Sequence, residues 1–159
     1  MQTQSLEALV LYVREGLIRH LFPARGETLR AEWDPDLDPA ESIADAVAAF
    51  GLFPSMVHST SWRVEGKRIV LTFLVVIEPP AAVPEGFEEE PITRAELARG
   101  RPLGPPPEVH LSQVVEHGLR HLAWLVADDS AVRAALPEWA AALWEYEPEP
   151  FRAFGRDPR

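Results

Sequence analysis

Residues 68–78, RIVLTFLVVIE, are almost continuously apolar and β-branched, which is the composition of a strand covered on both of its faces. Whatever fold the chain adopts must place this segment inside a sheet. Just before it runs VHSTSWRV, and the intervening Glu65-Gly66 predicts a β-hairpin of strands at about 57–64 and 68–78, the second of them central. A two-residue and a three-residue loop both fit. A slip of one residue would exchange the two faces of the first strand, so the directions of His58, Thr60 and Trp62 stay open.

Around the hairpin the pattern is mixed. In residues 5–21, Leu6, Leu9, Val10, Val13, Leu17 and Leu21 recur at three- and four-residue spacing behind Ser5, which predicts an N-terminal helix ended by Pro23 and Gly26. On that reading His20 is a favourable charge near the helix carboxyl end. Residues 27–33 alternate as an extra strand. Asp38, Pro39 and Glu41 have the order of a helix cap, a first helical residue and a capping-box acid, and predict a helix to about Phe50 with Gly51 just past its end. Residues 79–107 hold eight of the 16 prolines and read as a surface segment, with a short helix at 93–99. A helix at 112–127 follows, then a break and new cap at Asp128, Asp129 and Ser130, short helices to Leu136 and from Pro137, and an extended tail. The expected class is α+β: a single globular domain over 1–159, with a small antiparallel sheet built on the hairpin and packed by N-terminal and C-terminal helices.

Composition narrows the function. With 47% hydrophobic and 25% charged residues the chain is built to fold, and a net charge of −10 repels phosphate backbones and anionic headgroups, so neither nucleic acid nor membrane is an expected partner. Without cysteine there is no disulfide, no thiolate catalysis and no cysteine-ligated zinc. No basic leader and no apolar run of ~20 residues is present, and the expected location is the cytoplasm. Asparagine is absent, Lys67 stands against 14 arginines, and proline is abundant; a thermophile and a GC-rich genome both account for this.

Two constellations carry candidate chemistry. In HGLRH, His117 and His121 stand four residues apart on the rim of an apolar helical arc, and two imidazoles at that spacing can chelate one divalent metal such as zinc. Gly118 replaces the glutamate that zinc proteases carry after the first histidine. His110 is a third candidate ligand only if the chain before the helix turns back, because along a continuous helix it would lie about 10 Å from His117. Packing or hydrogen bonding accounts for such a pair more often than a metal does. The second constellation is on strand 57–64, where alternation groups His58, Thr60 and Trp62 against Ser59, Ser61 and Arg63. Arg63 would suit a carboxylate or phosphate and His58 acid–base work, so His58, Trp62 and Arg63 are the candidate ligand-binding residues.

The glycine-rich nucleotide loops, the nucleophile elbow and the calcium loop are all missing. The Nudix pattern is not met either: residues 39–52 offer a helix followed by Gly51-Leu52 before a strand, without the arginine and glutamate cluster that hold magnesium in that family. The favoured expectation is therefore a non-catalytic small-molecule-binding or protein-interaction domain, with a homodimer formed through the aromatic C-terminal region of Trp139, Trp144, Tyr146, Phe151 and Phe154. The alternative is a metal-dependent hydrolase in which His117 and His121 hold the ion, a third ligand comes from His58, His110 or a carboxylate, and a metal-bound water attacks.

Overall fold

The computed structural model describes residues 3–97 and 109–150. The chain divides into two compact units, Met1–Ile92 and Thr93–Arg159.

The first unit contains β1 (Thr3–Arg14), β2 (Leu17–Pro23), β3 (Leu29–Glu32), α1 (Pro39–Ala48), β4 (Pro54–Glu65), β5 (Arg68–Ile77) and β6 (Phe87–Pro91). They make a six-stranded sheet in the order β4-β5-β1-β2-β6, with β3 pairing onto β1. The sheet is mixed rather than the small antiparallel one expected, since β1 runs parallel to β5 and antiparallel to β2 and β3. The expected N-terminal helix is also corrected, because residues 5–21 fold as the β1–β2 hairpin. Strand β1 is buried on both faces: Leu6, Ala8, Val10 and Tyr12 point one way, Leu9, Leu11 and Val13 the other. So many apolar residues in succession satisfy a helical spacing by accident. Glu15 and Gly16 form the two-residue loop between paired Arg14 and Leu17, with φ of 53° and 76°. Two consecutive positive φ values are what a type I′ hairpin turn requires.

The β4–β5 hairpin forms as expected, and its register is now fixed. Glu65 pairs with Arg68, so Gly66 and Lys67 make a two-residue loop in which Gly66 takes φ 62°. Between Ser59 and Ser61 a β-bulge sets Thr60 out of register. β5 lies inside the sheet, but β1 holds its middle and pairs with three strands.

Helix α1 starts as its sequence dictates: Asp38 accepts hydrogen bonds from the backbone N–H groups of Ala40 and Glu41, and Pro39 opens the helix. Ile43 and Val47 bury one side of it in a core with Leu6, Ala8, Val10, Tyr12, Phe73, Val75 and Phe87, which fixes α1 on one face of the sheet. Gly51, φ 75°, turns the chain out of the helix toward β4. Within the proline-rich segment Phe87–Pro91 is a strand, and residues 93–97 carry no helix; the rest of the expected 93–99 helix lies outside the described residues.

The second unit consists of α2 (Leu111–Asp128), α3 (Ser130–Ala135) and α4 (Trp139–Ala142). At the start of α2 the Gln113 side chain accepts from the His110 N–H, and Asp129 caps α3 by accepting from Ala131 and Val132. Trp139 and Tyr146 are buried and Trp144 is exposed, whereas Phe151 and Phe154 lie outside the described residues.

Candidate functional site

The bulge in β4 rearranges the residues selected from the sequence. His58 pairs with Leu74, and Arg63 pairs with Val70, so both stand on the sheet face opposite α1, while Trp62 pairs with Leu71 on the α1 face and is exposed. Alternation had set His58 beside Trp62, and the extra residue Thr60 is what separates them. Four residues of β5 separate the partners of His58 and Arg63, a distance of about 13 Å along the strand. The three residues therefore do not converge.

Arg63 belongs to a different cluster. Glu7, fully buried on β1, accepts five hydrogen bonds: two from the Arg63 guanidinium at 2.7 and 2.9 Å, one from Arg30 at 2.9 Å, one from Thr28 at 2.9 Å and one from Thr72 at 3.0 Å. Glu65 closes the ring by pairing with both arginines, at 2.8 Å to Arg30 and 2.7 Å to Arg63. Burial alone would raise the Glu7 carboxyl, but the Arg63 and Thr28 hydrogen bonds and the charges of Arg63 and Arg30 outweigh it and hold the group below the usual carboxylate range. Hydrogen bonding by Arg30, followed by that of Arg63, pulls Glu65 down to about 2. Every oxygen of Glu7 is satisfied. The cluster has the character of a buried tie between β1, β3, β4 and β5 rather than of a site waiting for a ligand. It was hidden in the sequence by the helical reading of 5–21, in which Glu7 is only one more surface acid.

In the second unit Glu116 is buried on α2 and is held by Arg94 at 2.9 Å and Arg120 at 3.1 Å. The Arg94 guanidinium also lies 4.3 Å from the centre of the Tyr146 ring. Glu116 and Arg120, four residues apart on α2, thus form an interior ion pair. His121 stacks on Trp124 and brings Nδ1 within 3.2 Å of the Glu149 carbonyl oxygen, and His110 is exposed at the start of α2, seven residues before His117. Among the described residues no three of His, Cys, Asp and Glu come together as a metal ligand set.

A third cluster lies on the α1 face, where β1, β2 and β6 meet. Tyr12 and Arg19 are cross-strand partners, Arg14 follows two residues after Tyr12 on the same side, and Glu89 of β6 pairs with Leu21 on that face. The Arg14 guanidinium sits 5.2 Å from the centre of the Tyr12 ring and also donates to the Pro80 carbonyl. One Glu89 oxygen, Oε1, lies 3.6 Å from Arg14 and 3.9 Å from Arg19, too far for hydrogen bonds. The Tyr12 hydroxyl, Arg19 Nε and Glu89 Oε2 are all buried, and none has a hydrogen-bond partner among the described residues. Buried polar atoms are nearly always paired, so three orphans in one cross-strand group set this cluster apart from the other two. The sequence signal was the alternation Tyr12, Arg14 across a Glu-Gly turn from Arg19, legible only once the segment is read as a hairpin.

His20 occupies the other face of β2, 1% exposed, with Nε2 lacking a hydrogen-bond partner among the described residues. Burial lowers it to about 4 despite the charge of Glu7. The helix-end cation expected there is thus a neutral imidazole within a sheet.

No family model matches the chain, and no curated protein matches it. Solved structures do. NrtR from Shewanella oneidensis, crystallised with a 27mer DNA, superposes with a TM-score of 0.58 over 92% of this chain and 77% of that one, at 11% identity. The NUDIX domain of the same protein, complexed with ADP ribose, matches over 57% of this chain and 73% of that one with a TM-score of 0.42 and 11% identity. A structure described as a nudix hydrolase family member from Chromobacterium violaceum matches over 86% of this chain and 87% of that one, with a TM-score of 0.48 and 10% identity. The likeness to NrtR establishes the fold, which is Nudix-like, and at this identity it establishes the fold alone.

These neighbours correct two expectations. A non-catalytic binding or interaction domain is set aside as the main reading, because the fold shared with NrtR is Nudix-like. The exclusion of nucleic acid on net charge is set aside too, since NrtR, of the same fold, is crystallised on DNA. No particular metal, zinc included, is indicated by the described residues. The segment that reads as a helix followed by Gly-Leu before a strand is α1, but its only acids are Glu41 and Asp45. The described residues therefore do not provide a metal cradle. Among them no helix is long and apolar enough to cross a membrane.

Proposed function

We propose that the chain is a hydrolase acting on a small phosphorylated compound received at the Tyr12, Arg14, Arg19 and Glu89 group of the first unit. The observation that carries the reading is the trio of buried, unpartnered polar atoms beside two guanidinium groups. Such atoms are costly unless a ligand satisfies them. Guanidinium N–H groups can take up the charge that builds on non-bridging phosphoryl oxygens, and a nearby carboxylate can orient the attacking water. Arg14 and Arg19 supply the first function and Glu89 the second. The Nudix-like fold supports the choice of reaction, and NrtR, whose NUDIX domain is crystallised with ADP ribose, supports a phosphorylated ligand. With no three-donor ligand set among the described residues, no step is assigned to a metal. His117 and His121 stand outside this reading.

The test is a hydrolysis assay on a panel of nucleoside diphosphate conjugates and phosphomonoesters, with and without magnesium or manganese. Turnover that falls at least a hundredfold in both Arg19→Gln and Glu89→Gln is the expected result. Absence of turnover on every compound, or turnover untouched by both substitutions, defeats the reading.

A further inference from the structure

The cluster on β1, β2 and β6 is built for a larger anion than the one it holds. We infer that Glu89 occupies, in the free protein, the place of a tetrahedral oxyanion such as phosphate, and that a phosphate-bearing ligand displaces it. The inference rests on the hydrolase reading for its biological role but not for its test.

Three observations carry it. Glu89 Oε1 approaches the guanidinium groups at 3.6 and 3.9 Å, beyond hydrogen-bonding distance, while Oε2 is buried with no hydrogen-bond partner among the described residues. A carboxylate that had evolved to pair with these arginines would engage them at about 2.7–2.9 Å. The Arg63–Glu7 pair in this same sheet does so, at 2.7 and 2.9 Å. Arg19 Nε and the Tyr12 hydroxyl are the donors that Glu89 leaves unused. Tyr12 and Arg19 are directly paired across the β1–β2 ladder, so their side chains leave the sheet side by side on the same face. A planar carboxylate on a short side chain cannot reach Arg14, Arg19 Nε and the Tyr12 hydroxyl together, whereas a tetrahedral oxyanion offers acceptors in three directions.

Once displaced, Glu89 no longer faces the arginines and both its oxygens are available to hold a water beside the bound group. The same side chain thus weakens binding in the free protein and serves the reaction in the complex. Its substitution must therefore move affinity and turnover in opposite directions, which no purely structural role would do.

The experiment is calorimetric titration of the full chain with inorganic phosphate and pyrophosphate, with melting temperatures read in parallel. Glu89→Gln, which removes the competing charge, is expected to tighten phosphate binding at least fivefold. Arg19→Gln is expected to weaken it at least tenfold. Tyr12→Phe removes only the orphaned hydroxyl and should raise the melting temperature of the free protein while weakening phosphate binding severalfold; it keeps the test decisive if an arginine variant fails to fold. The inference is overturned if phosphate and pyrophosphate fail to bind both the parent and Glu89→Gln at millimolar concentration. It is overturned equally if Glu89→Gln leaves affinity unchanged or weakens it, or if Tyr12→Phe and Arg19→Gln bind as the parent does. Phosphate binding in this pattern without turnover of any compound would defeat the hydrolase reading alone.

Discussion

Replacing Glu7 by Gln changes a single atom at the centre of the tie between four strands, and its cost can be worked out from the surroundings. The carboxylate accepts five hydrogen bonds from Arg63, Arg30, Thr28 and Thr72 and is itself inaccessible to water. In the amide, an NH2 group must face donors on one side, and the arginines lose the charge that holds them. Removing one partner of a buried pair typically costs about 3–5 kcal/mol. For a chain of this length that corresponds to a melting temperature lower by roughly 6–20 °C. Urea unfolding and thermal melting of Glu7→Gln against the parent measure it directly. Glu65→Gln is the internal control: its side chain is 41% exposed, so the same chemical change should cost at most about 1 kcal/mol. If Glu7→Gln costs less than about 1 kcal/mol, or no more than Glu65→Gln, the cluster is not a desolvated tie and the reasoning fails.

Two further predictions follow from the same sheet. His20 falls from 6.5 to about 4 in the folded protein, so the unfolded chain binds its proton first and stability rises with pH across that window. About 3 kcal/mol should be lost as pH drops from about 6.5 to 4, before the lowered carboxylates Glu7 and Glu65 add their own loss at more acid pH. In His20→Leu the slope between pH 6.5 and 4.5 should flatten, and a slope unchanged from the parent would show that His20 is not the group responsible. Glu15 has φ 53°, which non-glycine residues adopt at a cost and asparagine tolerates best. Glu15→Asn should therefore stabilise by about 0.5–1 kcal/mol in urea unfolding, and a destabilised variant would contradict the type I′ turn.

Local chemistry was legible where one residue's side chain meets its own backbone. Asp38, Pro39 and Glu41 specify the start of α1 whatever surrounds it, and Asp129 specifies that of α3. The Gly66 turn and the run of 68–78 specify the β4–β5 hairpin for the same reason. The first twenty residues were illegible because periodicity identifies an element only when one of its faces is polar. β1 is buried on both faces, and its unbroken apolar run reads equally as helix or strand. That misreading concealed Glu7, Tyr12, Arg14 and Arg19 together, since their convergence depends on extended backbone and on strands far apart in sequence.

The amino-acid sequence alone determined the helix caps and the presence of the β4–β5 hairpin, which depend on contacts spanning a few residues, together with the absence of thiol chemistry and a mixed α and β composition. Which strand took the middle of the sheet was decided only by tertiary structure, because parallel pairing of β1 with β5 joins residues more than sixty positions apart. The bulge at Thr60, which sends His58 and Arg63 to one face and Trp62 to the other, and the meeting of Arg14, Arg19 and Glu89 are likewise products of register across the ladder, and no local pattern encodes register.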